Sequence, residues 1–269
     1  MADIAVIGAG YVGLTTGTCL AHLGHNVTIA DIDEIKVQKL SEGEVTIFEP
    51  GLSGLLTQGI ENGNLKFVVG ATSASRNAAF HFLCLPTPPN PDGSTNMEYF
   101  SSAIEEIKDI LPPNSVIVNK STLPVGTASQ LKKQIQRTDV EIVSNPEFLS
   151  EGNAVQDFLQ PSRIVIGAES QEAASSVAAL FKDIDTTTQI TGTESAELIK
   201  HTANAFLAIK LTFINEIATL CELVGANVLD VAEGIGYDPR IGSTYLRPGP
   251  GWGGSCFPKD SVSLLQTAN

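Results

Sequence analysis

Short apolar runs alternate with longer amphipathic stretches over the first two thirds of the chain. Strands are predicted wherever β-branched and other apolar residues stand together between turn residues. The predicted strands cover residues 3–7, 25–30, 65–69, 79–85, 115–120, 141–144, 163–167 and 187–190. Because near-continuous apolar strands separated by helices are typical of parallel sheets, the pattern predicts a doubly wound α/β fold with helices on both faces.

This alternation ends after Gly192, where one long helical pattern covers residues 194–224. Such a helix is longer than most in globular domains, so we interpret it as a domain connector. Apolar residues all around the helix predict wide burial. They are Ala203, Phe206, Leu207, Ile209, Phe213, Ile214 and Ile217. With a further helix predicted at residues 228–234, we expect two domains, residues 1–192 and a small all-α domain of residues 193–269.

A glycine-rich turn joins the first predicted strand to the first predicted helix. It reads Gly8-Ala9-Gly10-Tyr11-Val12-Gly13, which matches the G-x-G-x-x-G pattern of dinucleotide-binding turns. In that pattern Gly8 makes a tight turn, Gly10 leaves room for a pyrophosphate, and Gly13 lets the helix approach the strand. Asp31 closes the second strand, where a carboxylate accepts hydrogen bonds from a ribose and repels a 2′-phosphate. The turn therefore predicts a Rossmann-type sheet that binds NAD in preference to NADP.

A second glycine-rich stretch, near the end of the chain, reads GPGWGGSCFPKD over residues 249–260. Pro258 suits the first turn of a helix that continues through Asp260. Cys256 would then lie at a helix N-terminus beside Lys259, where a lowered thiol pKa makes the thiolate a competent nucleophile. Asp260 follows one helical turn later and could handle a proton or orient a water. Taken alone, the stretch is also compatible with a glycine-rich turn around a buried cysteine.

Polar side chains follow the fifth and sixth predicted strands. Thr122 follows the fifth strand, and Glu147 and Glu151 follow the sixth. Because ligands of parallel sheets bind beyond the carboxyl ends of the strands, these residues are candidates for a site. We expect the two carboxylates to share one face of a helical turn beside Thr122 and to handle a proton or a water. On the long helix, Lys200 and Asn204 have the spacing that lets both point at one ligand oxygen.

Composition narrows the possible partners and location. The chain has 269 residues and a formal net charge of −14, which argues against nucleic acid or an anionic membrane as a partner. No apolar run reaches membrane-spanning length and the N-terminus lacks a basic leader, so we expect a cytoplasmic protein. The four cysteines fit neither a disulfide framework nor a zinc site, and no metal is expected. Cys19, Cys84 and Cys221 lie in apolar patterns and are predicted to be packing residues.

With these pieces in order, the sequence resembles the UDP-glucose/GDP-mannose dehydrogenase family of nucleotide-sugar dehydrogenases along its whole length. The resemblance rests on residues 253–260, residues 145–152, residues 121–126, and Lys200 with Asn204. It implies an oxidoreductase that converts the C6 alcohol of UDP-glucose to the carboxylate of UDP-glucuronate, a precursor of polysaccharides, with two NAD⁺ consumed. Independently of the resemblance, the long helix has more apolar surface than one domain is expected to cover, so we expect a homodimer formed through this helix.

The same resemblance implies roles for individual residues. The implied catalytic residues are Cys256, Lys200, Asn204, Asp260, Thr122 and Glu147, with Cys256 attacking the intermediate aldehyde and a thioester then hydrolysed by water. Implied cofactor contacts are Gly8, Gly10, Tyr11, Val12, Gly13, Asp31, Lys36, Thr87, Thr122, Glu151 and Lys259. Implied substrate contacts are Phe148, Leu149, Glu151, Lys200, Asn204, Arg240 and Gly253, with Arg240 reaching the substrate of a neighbouring subunit.

One departure from the family pattern keeps alternatives open. Family members normally continue into a second α/β domain that holds the uridine diphosphate, whereas this chain stops at Asn269, so we expect weak binding of the nucleotide sugar. A GDP-mannose or other nucleotide-sugar 6-dehydrogenase has similar motifs. A two-electron hydroxyacid dehydrogenase also pairs a Rossmann domain with a Lys-x-x-x-Asn helix, but it needs no cysteine nucleophile. A truncated, catalytically silent NAD-binding module is the third alternative.

Overall fold

The computed structural model describes residues 1–254 and 257–267. The strands in these ranges are β1 (Asp3–Ile7), β2 (Asn26–Asp31), β3 (Leu65–Val69), β4 (Phe80–Leu83), β5 (Val116–Asn119), β6 (Glu141–Ser144), β7 (Ile164–Ala168) and β8 (Thr188–Thr191). The helices are α1 (Tyr11–His22), α2 (Glu34–Ser41), α3 (Leu52–Glu61), α4 (Ala71–Ser75), α5 (Glu98–Ile107), α6 (Thr127–Ile135), α7 (Ala154–Leu159), α8 (Gln171–Ala179), α9 (Thr193–Val224), α10 (Val228–Gly236) and α11 (Phe257–Thr267).

All the described strands belong to one sheet, in the order β3-β2-β1-β4-β5-β6-β7-β8. The first six strands in that order pair in parallel. β1 lies inside the sheet and is buried on both faces from Ile4 to Ile7, which explains its unbroken apolar sequence. The predicted α/β fold is therefore confirmed, and every predicted strand is present within two residues of its predicted bounds.

One strand pair departs from the predicted parallel sheet. β7 runs antiparallel to β6, with Ser144 opposite Gly167 and Val143 opposite Ala168. The connection of residues 145–163 is long enough for a parallel crossover. It is largely non-helical, however, with only the six-residue helix α7, and its path returns the chain to the sheet in the opposite direction.

Helices cover both faces of the sheet with apolar side chains. One core cluster joins the sheet to α1, α3, α7 and α8, and it includes Leu14, Leu52 and Phe158. A second cluster joins the sheet to α5 and α6, and it includes Phe100 and Leu131. Complete burial of a side chain such as Leu14 contributes about 2 kcal/mol to stability, so these two layers hold the strand ends in place.

The chain divides into two compact units. Unit 1 comprises Met1–Pro88 and Thr95–Lys200, and it contains the whole sheet. Unit 2 comprises Pro89–Ser94 and His201–Asn269, with helices as its only regular elements among the described residues. Its small core is formed by Ile214, Ala232 and Leu246. The helical region after the sheet is as predicted, while the domain boundary at residues 192 and 193 stays a prediction.

The long helix α9 has 32 residues and begins and ends within one residue of its predicted bounds. Its predicted wide burial is wrong for three large side chains, because Phe206, Ile209 and Phe213 are 59%, 63% and 48% exposed. These residues lie three and four positions apart and form a single apolar stripe. No helix in the described parts of the chain combines the length and apolar character needed to cross a membrane.

Candidate cofactor and active site

The glycine turn between β1 and α1 has the geometry that its sequence predicts. Gly8 has a φ of +100°, and a Cβ on it would lie 2.5 Å from the Cys84 carbonyl oxygen. A Cβ on Gly13 would lie only 1.8 Å from the Gly8 carbonyl oxygen, so α1 could not approach β1 with any other residue there. No described atom lies within 4 Å of a Cβ built on Gly10, which leaves room for a ligand at the start of α1.

The carboxylate of Asp31 lies beside this turn. It accepts hydrogen bonds from Ala9 N at 2.9 Å and Asp33 N at 3.0 Å, and Lys36 Nζ lies 3.0 Å from Oδ2. Burial opposes its ionisation, but the Asp33 N–H, the Lys36 ammonium and the Ala9 N–H outweigh it and lower the pKa of Asp31. Asp31 is therefore a fixed negative charge where the adenosine ribose of a dinucleotide would lie.

A buried ion pair stands at the end of β6 in unit 1. Lys200 Nζ lies 2.8 Å from Glu147 Oε1, and the two residues are 4% and 8% exposed. Leu149 N donates to Glu147 Oε2 at 2.6 Å, so the following segment is bound to the same carboxylate. The Phe148 ring lies 3.7 Å from the Arg163 guanidinium carbon and 5.4 Å from Lys200 Nζ. Cation–π contacts therefore orient the backbone that follows Glu147.

The prediction that Glu147 and Glu151 share one helical turn is wrong. Residues 145–150 have no regular secondary structure, and α7 begins only at Ala154. Glu147 is buried with Lys200, whereas Glu151 is exposed. Pro146 lacks a backbone N–H, and Asn145 Nδ2 donates to Val165 O, so residues 145–150 do not form the helical turn that would place the two carboxylates on one face.

A buried lysine that the sequence analysis missed fixes the start of this segment. Lys120 Nζ donates to Asn145 Oδ1 at 2.9 Å, and Asn145 Nδ2 donates to Val165 O at 2.8 Å. The Lys120 ammonium also lies 5.8 Å and 5.9 Å from the rings of Phe158 and Phe181. Burial lowers the pKa of Lys120 to about 8. A lysine at the end of an apolar strand pattern gives no sequence signal of this role.

Glu197, one turn before Lys200 in α9, is a second residue that sequence analysis missed. Its carboxylate accepts from Gly126 N at 2.6 Å, Ala128 N at 3.0 Å and Ser144 Oγ at 3.1 Å. It thus caps the N-terminus of α6 and binds the beginning of α9 to the start of α6 and to the end of β6. Burial raises the pKa of Glu197 although these three donors oppose the shift.

Two predicted cofactor residues meet between the ends of β4 and β5. Thr87 Oγ1 donates to the Thr122 carbonyl oxygen at 3.1 Å. Next to it, Ser121 Oγ donates to Leu85 O at 2.8 Å. These bonds join the segments that follow β4 and β5, and they bring Thr87 and Thr122 together.

Unit 2 contains another buried polar pair. Asn204 Nδ2 donates to Asp260 Oδ2 at 2.6 Å, and Lys259 Nζ lies 2.9 Å from Asp260 Oδ1. α11 begins at Phe257, as the proline pattern predicted, while Cys256 lies outside the described residues. Arg240 is exposed and paired with Asp238, 2.6 Å from Nη2 to Oδ2.

The remaining predicted contacts have varied surroundings. Gly253 is exposed, and Val12 packs half-buried against the main core. The predicted packing role of the other three cysteines is confirmed, since Cys19, Cys84 and Cys221 are free and buried. Within the described ranges, no cluster of His, Cys, Asp and Glu residues could hold a metal ion.

Comparison with known proteins decides the family. Residues 2–185 match the NAD binding domain of the UDP-glucose/GDP-mannose dehydrogenase family, and residues 194–269 match its central domain. The chain belongs to this family. The predicted cofactor is thereby confirmed as NAD, since the sheet-bearing part of the chain is the family's NAD binding domain.

Relatives within the family show the same extent of similarity. The chain is 46% identical to a UDP-glucose 6-dehydrogenase of Rhizobium meliloti and 45% identical to the UDP-glucose 6-dehydrogenase TuaD of Bacillus subtilis, over 98% and 100% of its length. It spans 63% and 59% of those relatives.

Solved structures agree with this assignment. A UDP-glucose dehydrogenase from Pyrobaculum islandicum matches 99% of the chain with a TM-score of 0.93 and 37% identity, and the match covers 63% of that protein. A GDP-mannose dehydrogenase from Pseudomonas aeruginosa matches 99% with a TM-score of 0.85 and 30% identity, over 64% of that protein.

Proposed function

We propose that the protein is an NAD-dependent 6-dehydrogenase of UDP-glucose that carries out a four-electron oxidation. The observation that carries the proposal is the buried pair of Lys200 and Glu147 beside the ends of β5 and β6. Burying two charges is costly, and a well-packed apolar pair is often as stable. A pair retained at the ligand-binding edge of the sheet is therefore better explained by chemistry than by stability, which disfavours a silent NAD-binding module.

The glycine turn and Asp31 support the cofactor part of the proposal. When bound, NAD⁺ accepts the hydride that leaves the sugar. Open space at Gly10 leaves room for the pyrophosphate, and the carboxylate of Asp31 accepts hydrogen bonds from the ribose hydroxyls. The same charge repels a 2′-phosphate, so we expect NAD⁺ to bind more tightly than NADP⁺. A cytoplasmic location remains part of the proposal.

The side chains support a mechanism in which the chain handles protons and charge. The C6 alcohol loses a proton and a hydride to become an aldehyde. The Cys256 thiolate then adds to the aldehyde carbon, and loss of a second hydride gives a thioester. Water attacks the thioester carbon, and cleavage of the carbon–sulfur bond returns the thiolate and leaves the sugar carboxylate.

Each polar group has a place in this sequence of steps. The Lys200 ammonium stabilises negative charge that develops on the sugar oxygen, where a fixed, buried charge has most effect. Glu147 keeps that ammonium in place and, with Thr122, positions the water. In unit 2, the Asp260 carboxylate takes the proton of a water, and Asn204 orients the carboxylate.

A GDP-mannose 6-dehydrogenase is the second candidate, favoured by the structural match to a GDP-mannose dehydrogenase. The test is to supply NAD⁺ with UDP-glucose or GDP-mannose to the product of the whole reading frame that encodes these residues, and to identify the acid by mass spectrometry. UDP-glucuronate supports the proposal, and GDP-mannuronate alone would replace it with the second candidate. Acid production should stop in Cys256→Ser and persist in the matched control Cys221→Ala.

We further propose a homodimer formed through α9. The apolar stripe of Phe206, Ile209 and Phe213 continues to Leu220, which is 52% exposed, and a contiguous exposed apolar patch usually marks an interface. Sedimentation should show a dimer for the parent and a monomer for Ile209→Glu. The matched control Glu222→Gln, an exposed charge on the same helix, should leave the dimer intact. A parent that sediments as a monomer at micromolar concentration contradicts this proposal.

A further inference from the structure

Glu49 is a buried carboxylate with no role in the mechanism above. It lies in the non-helical segment between α2 and α3 and is 6% exposed. Its Oε1 accepts a short hydrogen bond from the Tyr11 hydroxyl and another from Gly152 N at 2.5 Å. Its Oε2 accepts from Ala154 N at 3.1 Å. A single side chain therefore holds two segments that are more than a hundred residues apart in sequence.

Both segments adjoin expected ligand contacts, the glycine turn through the proposed function and the backbone of residues 148–151 through the family resemblance. Tyr11 is the first residue of α1 and directly follows Gly10, where the pyrophosphate would lie. Gly152 and Ala154 end the segment that begins at Glu147. The Ser150 carbonyl oxygen lies 3.1 Å from the Tyr11 oxygen, so the phenol meets both the carboxylate and the segment. Because a phenol has a single proton to donate, its stronger hydrogen bond goes to the charged Glu49 carboxylate.

Electrostatics agree with a carboxylate that stays ionised. Burial opposes the ionisation of Glu49, but the Tyr11 hydroxyl and the N–H groups of Gly152 and Ala154 outweigh it and lower the pKa of Glu49. Burial and the hydrogen bond to Glu49 raise the pKa of Tyr11. A donor phenol and an acceptor carboxylate are therefore maintained across the physiological range.

We propose that Glu49 is a positioning residue that fixes the backbone of residues 148–151 against the glycine turn. The inference rests on the proposed function, in which the turn contacts the pyrophosphate, and on the family resemblance, which implies that the backbone of residues 148–151 contacts the sugar. Glu49 acts on backbone N–H groups at the end of the segment, and Glu147 binds the Leu149 N–H near its start. Both ends of the ligand-contacting backbone are thus bound to buried carboxylates.

A purely structural role as a cap of α7 makes a different prediction, which the experiment separates. Glu49→Gln, Tyr11→Phe and the double variant are compared with the parent by steady-state kinetics with UDP-glucose, by NAD⁺ titration and by thermal unfolding. The matched control is Glu44→Gln, which removes an exposed carboxylate of the same inter-helix segment, one that pairs with the exposed Lys39 at 3.3 Å. The control should equal the parent in every measurement.

We expect Glu49→Gln to raise the KM for UDP-glucose about tenfold with little change in kcat, because the backbone it holds contacts the sugar in ground and transition states alike. Tyr11→Phe should raise KM about threefold and weaken NAD⁺ binding about threefold, and the double variant should be no worse than Glu49→Gln alone, because the tyrosine acts through the carboxylate. A lowered melting temperature with unchanged KM and NAD⁺ affinity would show a structural cap and overturn the inference.

Two further outcomes are decided by the same set of variants. If Glu49→Gln does not fold, Tyr11→Phe decides alone, since it keeps both backbone hydrogen bonds, and unchanged KM and NAD⁺ affinity in it reject the inference. If the parent oxidises no nucleotide sugar, the proposed function fails, and the NAD⁺ titration still decides the role of Glu49. Equal NAD⁺ affinity in the parent and Tyr11→Phe would then reject the inference.

Discussion

The two glycine-rich stretches of the chain use glycine for different physical reasons. In the turn of residues 8–13, Cβ atoms on Gly8 and Gly13 would collide with backbone carbonyl oxygens at 2.5 Å and 1.8 Å. In the stretch of residues 249–254, no described atom lies within 4 Å of a Cβ on any glycine. Gly251 and Gly254 are instead distinguished by φ values of +121° and +81°.

Close packing, together with the positive φ of Gly8, determines the first glycine pattern, whereas backbone conformation alone distinguishes Gly251 and Gly254 in the second. At Gly8 and Gly13 the first turn is packed against backbone, so an added methyl there would force the neighbouring backbone to move. An exposed stretch can move away from an added atom, and it is sensitive only where φ is positive. Substitutions in the two stretches should therefore differ in size and in what they damage.

The largest effect is expected for Gly13→Ala. The added methyl meets the Gly8 carbonyl within the same turn, and backbone on both sides cannot give way, so α1 must move from β1. We expect a loss of more than about 4 kcal/mol in the free energy of unfolding. Urea unfolding measures it, and a loss below 1 kcal/mol would show that the turn is not closely packed.

Acid should weaken the packed region through His81 on β4, the strand that precedes Cys84. Burial lowers the pKa of His81 to about 4, so between that value and about 6.5 the unfolded chain binds a proton that the folded chain does not. Stability from this residue is complete above the unfolded pKa and falls as pH falls, by about 3 kcal/mol at most.

The measurement for His81 is the unfolding free energy of the parent and of His81→Gln from pH 7 to pH 4. In the variant, the unfolding free energy should depend less steeply on pH over this range, by the contribution of one proton. His22→Gln, which changes an exposed histidine, should keep the parental slope. Equal slopes in the parent and His81→Gln would contradict the assignment.

Gly10→Ala sharpens the comparison, because it lies in the packed turn but faces open space. Its methyl meets no described atom, so the free energy of unfolding should stay within about 0.5 kcal/mol of the parent. The methyl would occupy room that the pyrophosphate needs, so we expect NAD⁺ to bind at least about tenfold more weakly. Calorimetric titration with NAD⁺ tests this expectation. Unchanged NAD⁺ affinity would contradict the placement of the pyrophosphate at Gly10.

The smallest effects are expected in the second stretch. Gly251→Ala places a side chain at φ +121° and should cost about 1 kcal/mol, whereas Gly253→Ala, which has no positive φ, should cost less than about 0.5 kcal/mol. Thermal unfolding of the two variants compares them directly. Equal destabilisation would mean that packing, and not a positive φ, determines the cost of an added methyl in this stretch.

Local patterns were enough to predict the parts of the fold that depend on neighbours in sequence. The strands follow from apolar runs, and the roles of Gly8 and Gly13 follow from the short spacing that joins β1 to α1. The helix after Pro258 follows from a single proline. In each case the structure confirms the prediction because the interaction that decides it is encoded within about a dozen residues.

Interactions between distant segments could not be predicted in this way. Glu147 and Lys200 were each predicted as site residues, but no sequence pattern indicated that they form a pair across 53 residues. No role was predicted for Glu49, Glu197 and Lys120, because a lone charged residue beside an apolar pattern normally indicates a solvent-exposed position. The antiparallel direction of β7 was missed for the same reason, since direction depends on the path of the chain between strands.

The stoichiometry of the reaction tests the central claim most directly. The product of the whole reading frame that encodes these residues is supplied with limiting UDP-glucose and excess NAD⁺, and NADH formed is measured by absorbance after the sugar is exhausted. The account predicts two NADH for each UDP-glucose, because oxidation must proceed through the aldehyde and a thioester on Cys256 to the acid. One NADH for each sugar, with an aldehyde or ketone as the product, would contradict it.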